Sequence, residues 1–199
     1  MNDHELTWDK RLGISTVGRD DSNADEYRYP YEPTPYAVLE RLADSGLIRA
    51  EDTVLDYGCG KGRVDFFLAC ETGADTVGIE YDERIFQSAT ENRKTVLPEG
   101  QTEFILTRAE SYEVPKNVNR CYFFNPFSVE ILHKVLARVI ESYYENPREM
   151  RLFFYFPSDE YLGELMTNDA LMFVDEIDYS DLFENNKQRE RVLVFEVDA

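Results

Sequence analysis

Apolar residues along the chain gather into short β-rich runs that alternate with stretches of helical period. The runs fall at 53–57, 76–81, 103–107, 120–124, 150–156, 171–177 and 192–197, and they predict strands. Between them, helical patterns lie near 62–72, 83–95, 128–145 and 158–167. The third is the clearest, because Val129, Leu132, Val135, Leu136, Val139 and Ile140 draw one apolar stripe along it. An earlier helix is expected from Thr34-Pro35, read as N-cap and first helical position, up to Gly46. Strands alternating with crossover helices predict a parallel sheet covered on both faces. The last two runs are separated by SDLFENNKQRER, which carries no helical pattern, so they predict an antiparallel pair at the sheet edge. The expected fold is a doubly wound α/β domain.

The N-terminal stretch breaks this rhythm. Residues 1–30 are polar, hold Gly13 and Gly18, and include the acidic run at 20–26. They read as a loosely structured arm with one short ordered piece, and the remainder, 31–199, as the domain. The segment EYRYPYEPTPY carries four tyrosines and three prolines and reads as an extended entry to the first helix. Because it leads directly to the carboxyl side of the sheet, the arm is expected to act as a lid.

Composition narrows the classes of function. The chain has 199 residues with 21 Lys+Arg against 40 Asp+Glu, a formal charge of −19. Such a field disfavours tight nonspecific binding to nucleic acid. No apolar run approaches the roughly 20 residues that span a bilayer. The opening MNDHELTWDK lacks a secretion-signal pattern, so a cytoplasmic location is expected. The three cysteines, Cys59, Cys70 and Cys121, form no C-x-x-C, and only His4 and His133 are available. Neither a disulfide framework nor a metal site is expected.

The chemistry concentrates at Val54-Leu55-Asp56-Tyr57-Gly58-Cys59-Gly60-Lys61-Gly62-Arg63, which joins the first strand to the first crossover helix. Glycines there let a ligand lie against bare backbone beside a helix N-terminus. A dinucleotide fingerprint would need glycine where Arg63 stands, and the phosphate-cradling G-x-x-x-x-G-K-[ST] is absent. The spacing is instead D-x-G-x-G-x-G, and a carboxylate at Asp56 suits a cationic or hydroxyl-bearing ligand better than a pyrophosphate. At the end of the second strand, Glu80 lies 18 positions after Gly62, where an acidic side chain can accept both hydroxyls of a ribose.

This pattern resembles the glycine-rich motif of class I S-adenosylmethionine-dependent methyltransferases. The resemblance implies their mostly parallel seven-stranded sheet with an antiparallel terminal strand, and S-adenosylmethionine as cofactor. It implies a ribose contact for Glu80 and an adenine contact for Tyr81. After the third strand, Arg108 falls where the family commonly has an acid for the adenine amino group, and Glu110 is displaced. That contact is left to Glu110 or to backbone. Asn125-Pro126-Phe127 resembles the [DN]-P-P-[FYW] motif of enzymes that methylate planar amino groups, without the second proline. The implied catalytic set is Asn125 and Pro126, whose oxygens face an acceptor NH2, with Phe127 stacking on its plane. The same residues also read as a turn in which Pro126 stiffens the chain and Ser128 caps the long helix.

Arg11-Leu12-Gly13-Ile14-Ser15-Thr16 and Tyr31-Glu32-Pro33-Thr34-Pro35, together with those motifs, are similar to a group of small bacterial methyltransferase-like proteins over residues 11–160. In that setting Tyr31 and Thr34 sit over the cofactor, with Thr34 either reaching its carboxylate or simply capping a helix. The implied cofactor set is Tyr31, Thr34, Asp56, Gly58, Cys59, Gly60, Gly62, Glu80, Tyr81, Glu110 and Asn125. The expected activity is methyl transfer to an amino or amide nitrogen of a small molecule or protein. The alternative is a noncatalytic cofactor-binding module that docks a basic partner. Neither the acceptor nor the oligomeric state is written in the sequence.

Overall fold

Each β-rich run becomes a strand within two residues of its expected ends. In the computed structural model, which describes residues 3–21, 27–96, 101–185 and 188–198, the order begins α1 (Asp3–Leu12), α2 (Tyr36–Asp44), β1 (Thr53–Tyr57). It continues α3 (Arg63–Thr72), β2 (Asp75–Glu80), α4 (Glu83–Arg93), β3 (Thr102–Leu106), β4 (Arg120–Phe123) and α5 (Val129–Glu145). It closes β5 (Arg151–Tyr155), α6 (Asp159–Thr167), β6 (Leu171–Asp178), β7 (Arg191–Val197). Most of the acidic run, residues 22–26, lies outside the described residues. No helix among them is long and apolar enough to cross a membrane.

The seven strands form one sheet in the order β3-β2-β1-β4-β5-β7-β6. Among these strands only β7 runs antiparallel. The expected terminal pair is present, with β7 inserted between β5 and β6 so that β6 forms the edge. Strand order reverses between β1 and β4, which pair through Asp56 and Tyr122, while Asp56 on its other side meets Gly78 of β2. Ligands of doubly wound sheets gather at the carboxyl ends of strands beside such a reversal.

Side-chain alternation divides the core into two layers. Val54, Tyr122, Phe153, Val192 and Val194 face α1, α2 and α3 through Leu12, Leu39, Leu42, Phe66 and Phe67. Their neighbours in sequence, Leu55, Phe123, Phe154, Leu193 and Phe195, face α5 and α6 through Leu132, Val135, Leu136, Val139, Tyr161 and Leu165. Burial on both faces explains why these runs read as continuous apolar stretches.

Two expectations fail here, for one reason. Residues 3–16 are not loose: the short ordered piece expected in the arm is α1, and it is docked, with Trp8, Leu12 and Ile14 buried and Trp8 edge-on against Phe67. Nor does Thr34 cap a helix. α2 begins at Tyr36, whose N–H donates to the Glu5 carboxylate at 3.1 Å, while the Thr34 hydroxyl pairs with that of Tyr122 at 3.1 Å. Both outcomes depend on Arg63, which is fully buried. Its guanidinium donates to Glu5, to the Thr16 hydroxyl at 2.7 Å and to the Thr34 carbonyl at 3.1 Å, and it stacks on Tyr36. A buried guanidinium needs such partners, and here the N-terminal segment supplies them.

Candidate functional site

The turn after β1 folds back on itself because Gly58 and Gly60 adopt φ of 76° and 58°, a region that costs other residues. Space forbids a side chain as well. A Cβ on Gly58 would stand 2.5 Å from Cβ of Pro126, and one on Gly60 would stand 2.3 Å from the Tyr31 ring. The carboxyl ends of β1, β2 and β4, this turn and the segment 28–34 enclose a cleft of about 970 Å³, open solvent included.

Asp56, Gly58, Cys59, Glu80, Tyr81, Glu110, Tyr31, Thr34 and the 125–127 turn all line that cleft. Gly60 and Gly62 do not. Gly60 lies under the Tyr31 ring, and Gly62, the N-cap residue of α3, turns toward Phe104 and Phe66. Glu80 is buried and accepts three backbone N–H groups: Tyr81 at 2.8 Å, Asp82 at 2.9 Å and Gly60 at 3.1 Å. Burial raises its pKa while those three donors oppose the rise. The carboxylate therefore pins the end of β2 to the glycine turn, and it still borders the cleft. Cys59 is also buried, which pushes its thiol well up, so it is no nucleophile.

The opposite wall differs from the sequence-based picture. Asn125 has φ 40°; its amide donates to the Phe156 carbonyl and accepts from the Ser158 N–H at 3.3 Å. Phe127 is buried, edge-on to Tyr57 and Phe123, with its carbonyl held by the Tyr161 hydroxyl at 2.7 Å. Phe127 borders the cleft with little of its ring exposed, because hydrophobic packing holds it against the core. Phe124 and Tyr29 line the cleft beside it. Ser128 occupies the N-cap position of α5 with no side-chain cap bond; its N–H donates to the Tyr27 carbonyl at 2.8 Å.

That last bond belongs to a strap. Residues 27–31 run against the 125–128 turn, with Arg28 bridged to Phe127 and the Tyr29 N–H donating to the Pro126 carbonyl at 3.3 Å. The Arg28 guanidinium lies 4.8 Å above the Tyr81 ring and pairs with Glu110 at 3.0 Å. Tyr31 donates its hydroxyl to the Thr16 carbonyl at 2.6 Å. Arg28, Tyr29, Arg63 and Phe124 were missed by sequence reasoning. For Arg63 a signal did exist: a charged residue at the first position of a helix that had to be buried against the sheet.

Comparison with known proteins agrees with this geometry. A methyltransferase domain family matches residues 48–147. A protein-lysine N-methyltransferase of Saccharolobus islandicus (strain REY15A) is 40% identical over 58 residues, which is 28% of this chain; the match spans 36% of that relative's length. An RNA methyltransferase from Salinibacter ruber, solved with S-adenosyl-L-homocysteine, superposes with TM-score 0.60 at 20% identity, covering 83% of this chain and 94% of that one. A TehB-like S-adenosylmethionine-dependent methyltransferase from Corynebacterium glutamicum gives TM-score 0.60 at 17% identity, covering 89% and 91%. The chain belongs to the methyltransferase domain family and has the class I S-adenosylmethionine-dependent methyltransferase fold.

Proposed function

We propose that this chain binds S-adenosylmethionine and transfers its methyl group to an amino nitrogen. The observation that carries the reading is the cleft floor, where Asp56 and Glu80 border bare backbone at Gly58 at the point of strand-order reversal. Two buried carboxyl groups suit a ligand that is cationic and rich in hydroxyls. Glu80 would accept from the ribose hydroxyls and Asp56 would face a cationic group. Tyr81 and Glu110 would flank the base, and Tyr31 and Thr34 would cover it from the strap. Residues 27–31 are on this reading a lid that gives way to the nucleoside.

S-adenosylmethionine supplies a methyl group already activated on a sulfonium, so the chain need provide no nucleophile or metal. Its own task is to hold two partners in line and exclude water. Asn125 and the Pro126 carbonyl border the cleft next to Gly58, and their oxygens, which already accept from the Ser158 and Tyr29 N–H groups, would each accept a second hydrogen bond from an acceptor N–H. An amine acceptor is supported by the lysine specificity in the relative's name and by this chain's charge of −19. A lysine side chain or small cationic amine approaches such a field favourably, whereas nucleic acid is repelled.

Titration calorimetry with S-adenosylhomocysteine, followed by transfer of labelled methyl to lysine-bearing peptides, tests both halves. Binding of neither S-adenosylmethionine nor its demethylated product at millimolar concentration sinks the reading. The noncatalytic module draws support from the strap, since Arg28 already occupies Tyr81 and Glu110. Binding without transfer to peptide, small amine or cell-extract protein favours it.

A further inference from the structure

Asp65 is a buried carboxyl that the reading above does not use. It lies in the first turn of α3, only 1% exposed, and does not border the cleft, whereas its neighbour Asp56 does. Neither Asp65 oxygen accepts a hydrogen bond from another residue's amide or hydroxyl. Its carboxyl contacts that of Asp56 instead. Two carboxyl groups side by side inside a protein resist ionising together.

The groups that face this pair sharpen the point. Glu80 from β2, Cys59 from the glycine turn and Tyr122 from β4 act on it, and each is an acid. Arg63, the cation nearest in sequence, also borders the cleft, but its guanidinium bonds to Glu5, Thr16 and the Thr34 carbonyl. A buried pair of carboxyl groups is costly unless one stays protonated or a cation pairs with the other.

We propose that Asp65, kept neutral, donates a hydrogen bond to Asp56 and so holds that carboxylate ready for a cationic group of the cofactor. Asp65 is thus a positioning residue, acting through Asp56, and the inference rests on the proposed cofactor reading. Burial pushes Asp65 well above the usual carboxylate range, with Asp56's charge adding to it, so Asp65 retains its proton. Burial raises Asp56 to about 7, and the hydrogen bond from Asp65 restrains that rise. The sign follows. Below that value Asp56 is protonated and cannot pair with a cation; above it the carboxylate is charged and binding strengthens. A cation arriving at lower pH displaces one proton from Asp56 to solvent.

The experiment is S-adenosylhomocysteine affinity from pH 5.5 to 8.5 for wild type, Asp65→Leu and Asp65→Asn, with melting temperature measured alongside. Wild-type affinity should rise with pH through the neutral region. Leucine cannot donate, so its profile should shift to higher pH, with affinity at least tenfold lower at pH 6.5 and recovering toward wild type at pH 8.5. Asparagine can donate and should restore the wild-type profile. A Leu variant with an unshifted profile, or Leu and Asn variants that weaken equally at every pH, overturns the proposal. Infrared titration of the protonated-carboxyl band, without added ligand, separates the two claims. If wild type binds no S-adenosylhomocysteine at any pH, the cofactor reading falls; an unshifted band in Asp65→Leu overturns the Asp65–Asp56 coupling itself.

Discussion

The two walls of the cleft are built in opposite ways. One is a single stretch of chain, from Asp56 through the glycine turn, joined to Glu80 at the end of the adjacent strand. The other is assembled from 28–34, 107–110 and 122–127, segments brought together from across the chain, with Asn125 held by Phe156 and Ser158. The first wall is held by backbone: Glu80 grips three N–H groups, and the turn tolerates no Cβ. The second is held by side chains that meet once the core has formed. A local wall resists change until its backbone is altered, whereas a composite wall can be loosened one contact at a time.

The largest expected effect therefore lies in the glycine turn. Gly60→Val should abolish S-adenosylhomocysteine binding in calorimetry and lower the melting temperature, because its Cβ would meet the Tyr31 ring and its φ of 58° disfavours a β-branched residue. Adding Tyr31→Ala removes the clash but not the backbone strain. Full binding in that double variant would show that the turn matters only as a seat for the strap.

Next comes Asn125, where the comparison is most easily broken. Asn125→Gly preserves the left-handed backbone while deleting the amide. If the amide positions an acceptor nitrogen, turnover should fall about 100-fold, with cofactor affinity nearly unchanged. If its bonds to Phe156 and Ser158 are its whole purpose, stability and cofactor affinity should drop together, with turnover per folded site preserved.

Glu80→Ala follows, removing a side chain that serves both wall and ligand. Cofactor binding should weaken by about 1.5–3 kcal/mol, the usual worth of hydrogen bonds to a charged group. An affinity within twofold of wild type would mean that Glu80 braces the turn and contacts nothing in the cleft.

How much of this was legible divides along the same line. The strands, the antiparallel terminal pair and the glycine turn between Asp56 and Arg63 were readable, because β-rich runs and turn glycines act over a few residues. The failure of the Thr34 cap and the core packing of the Phe127 ring were not legible, because both were set by partners far away in sequence: Tyr122 for the first, Tyr57 and Phe123 for the second. The docking of the helix at Asp3–Leu12 was hidden for a related reason. Its apolar anchors are few, and its burial rests on polar side chains, Glu5, Asp9 and Thr16, gathered around Arg63 and Tyr36. Composition counts such residues as surface. Only the fold reveals them as a buried network.

The smallest effect is expected at Arg28, and its sign is the informative part. Arg28 lies over Tyr81 and pairs with Glu110, two residues that the resemblance assigns to the adenine. A base entering between them must displace the guanidinium, losing a cation–π contact and an ion pair that are together worth about 1 kcal/mol in a partly exposed setting. Arg28→Gln should thus tighten S-adenosylhomocysteine binding by roughly 3- to 10-fold, mainly by speeding association. The backbone bridge to Phe127 needs no arginine, so the melting temperature should change little. Weaker binding in Arg28→Gln would reverse the assignment: Arg28 would then be a ligand contact, and the strap part of a permanent wall.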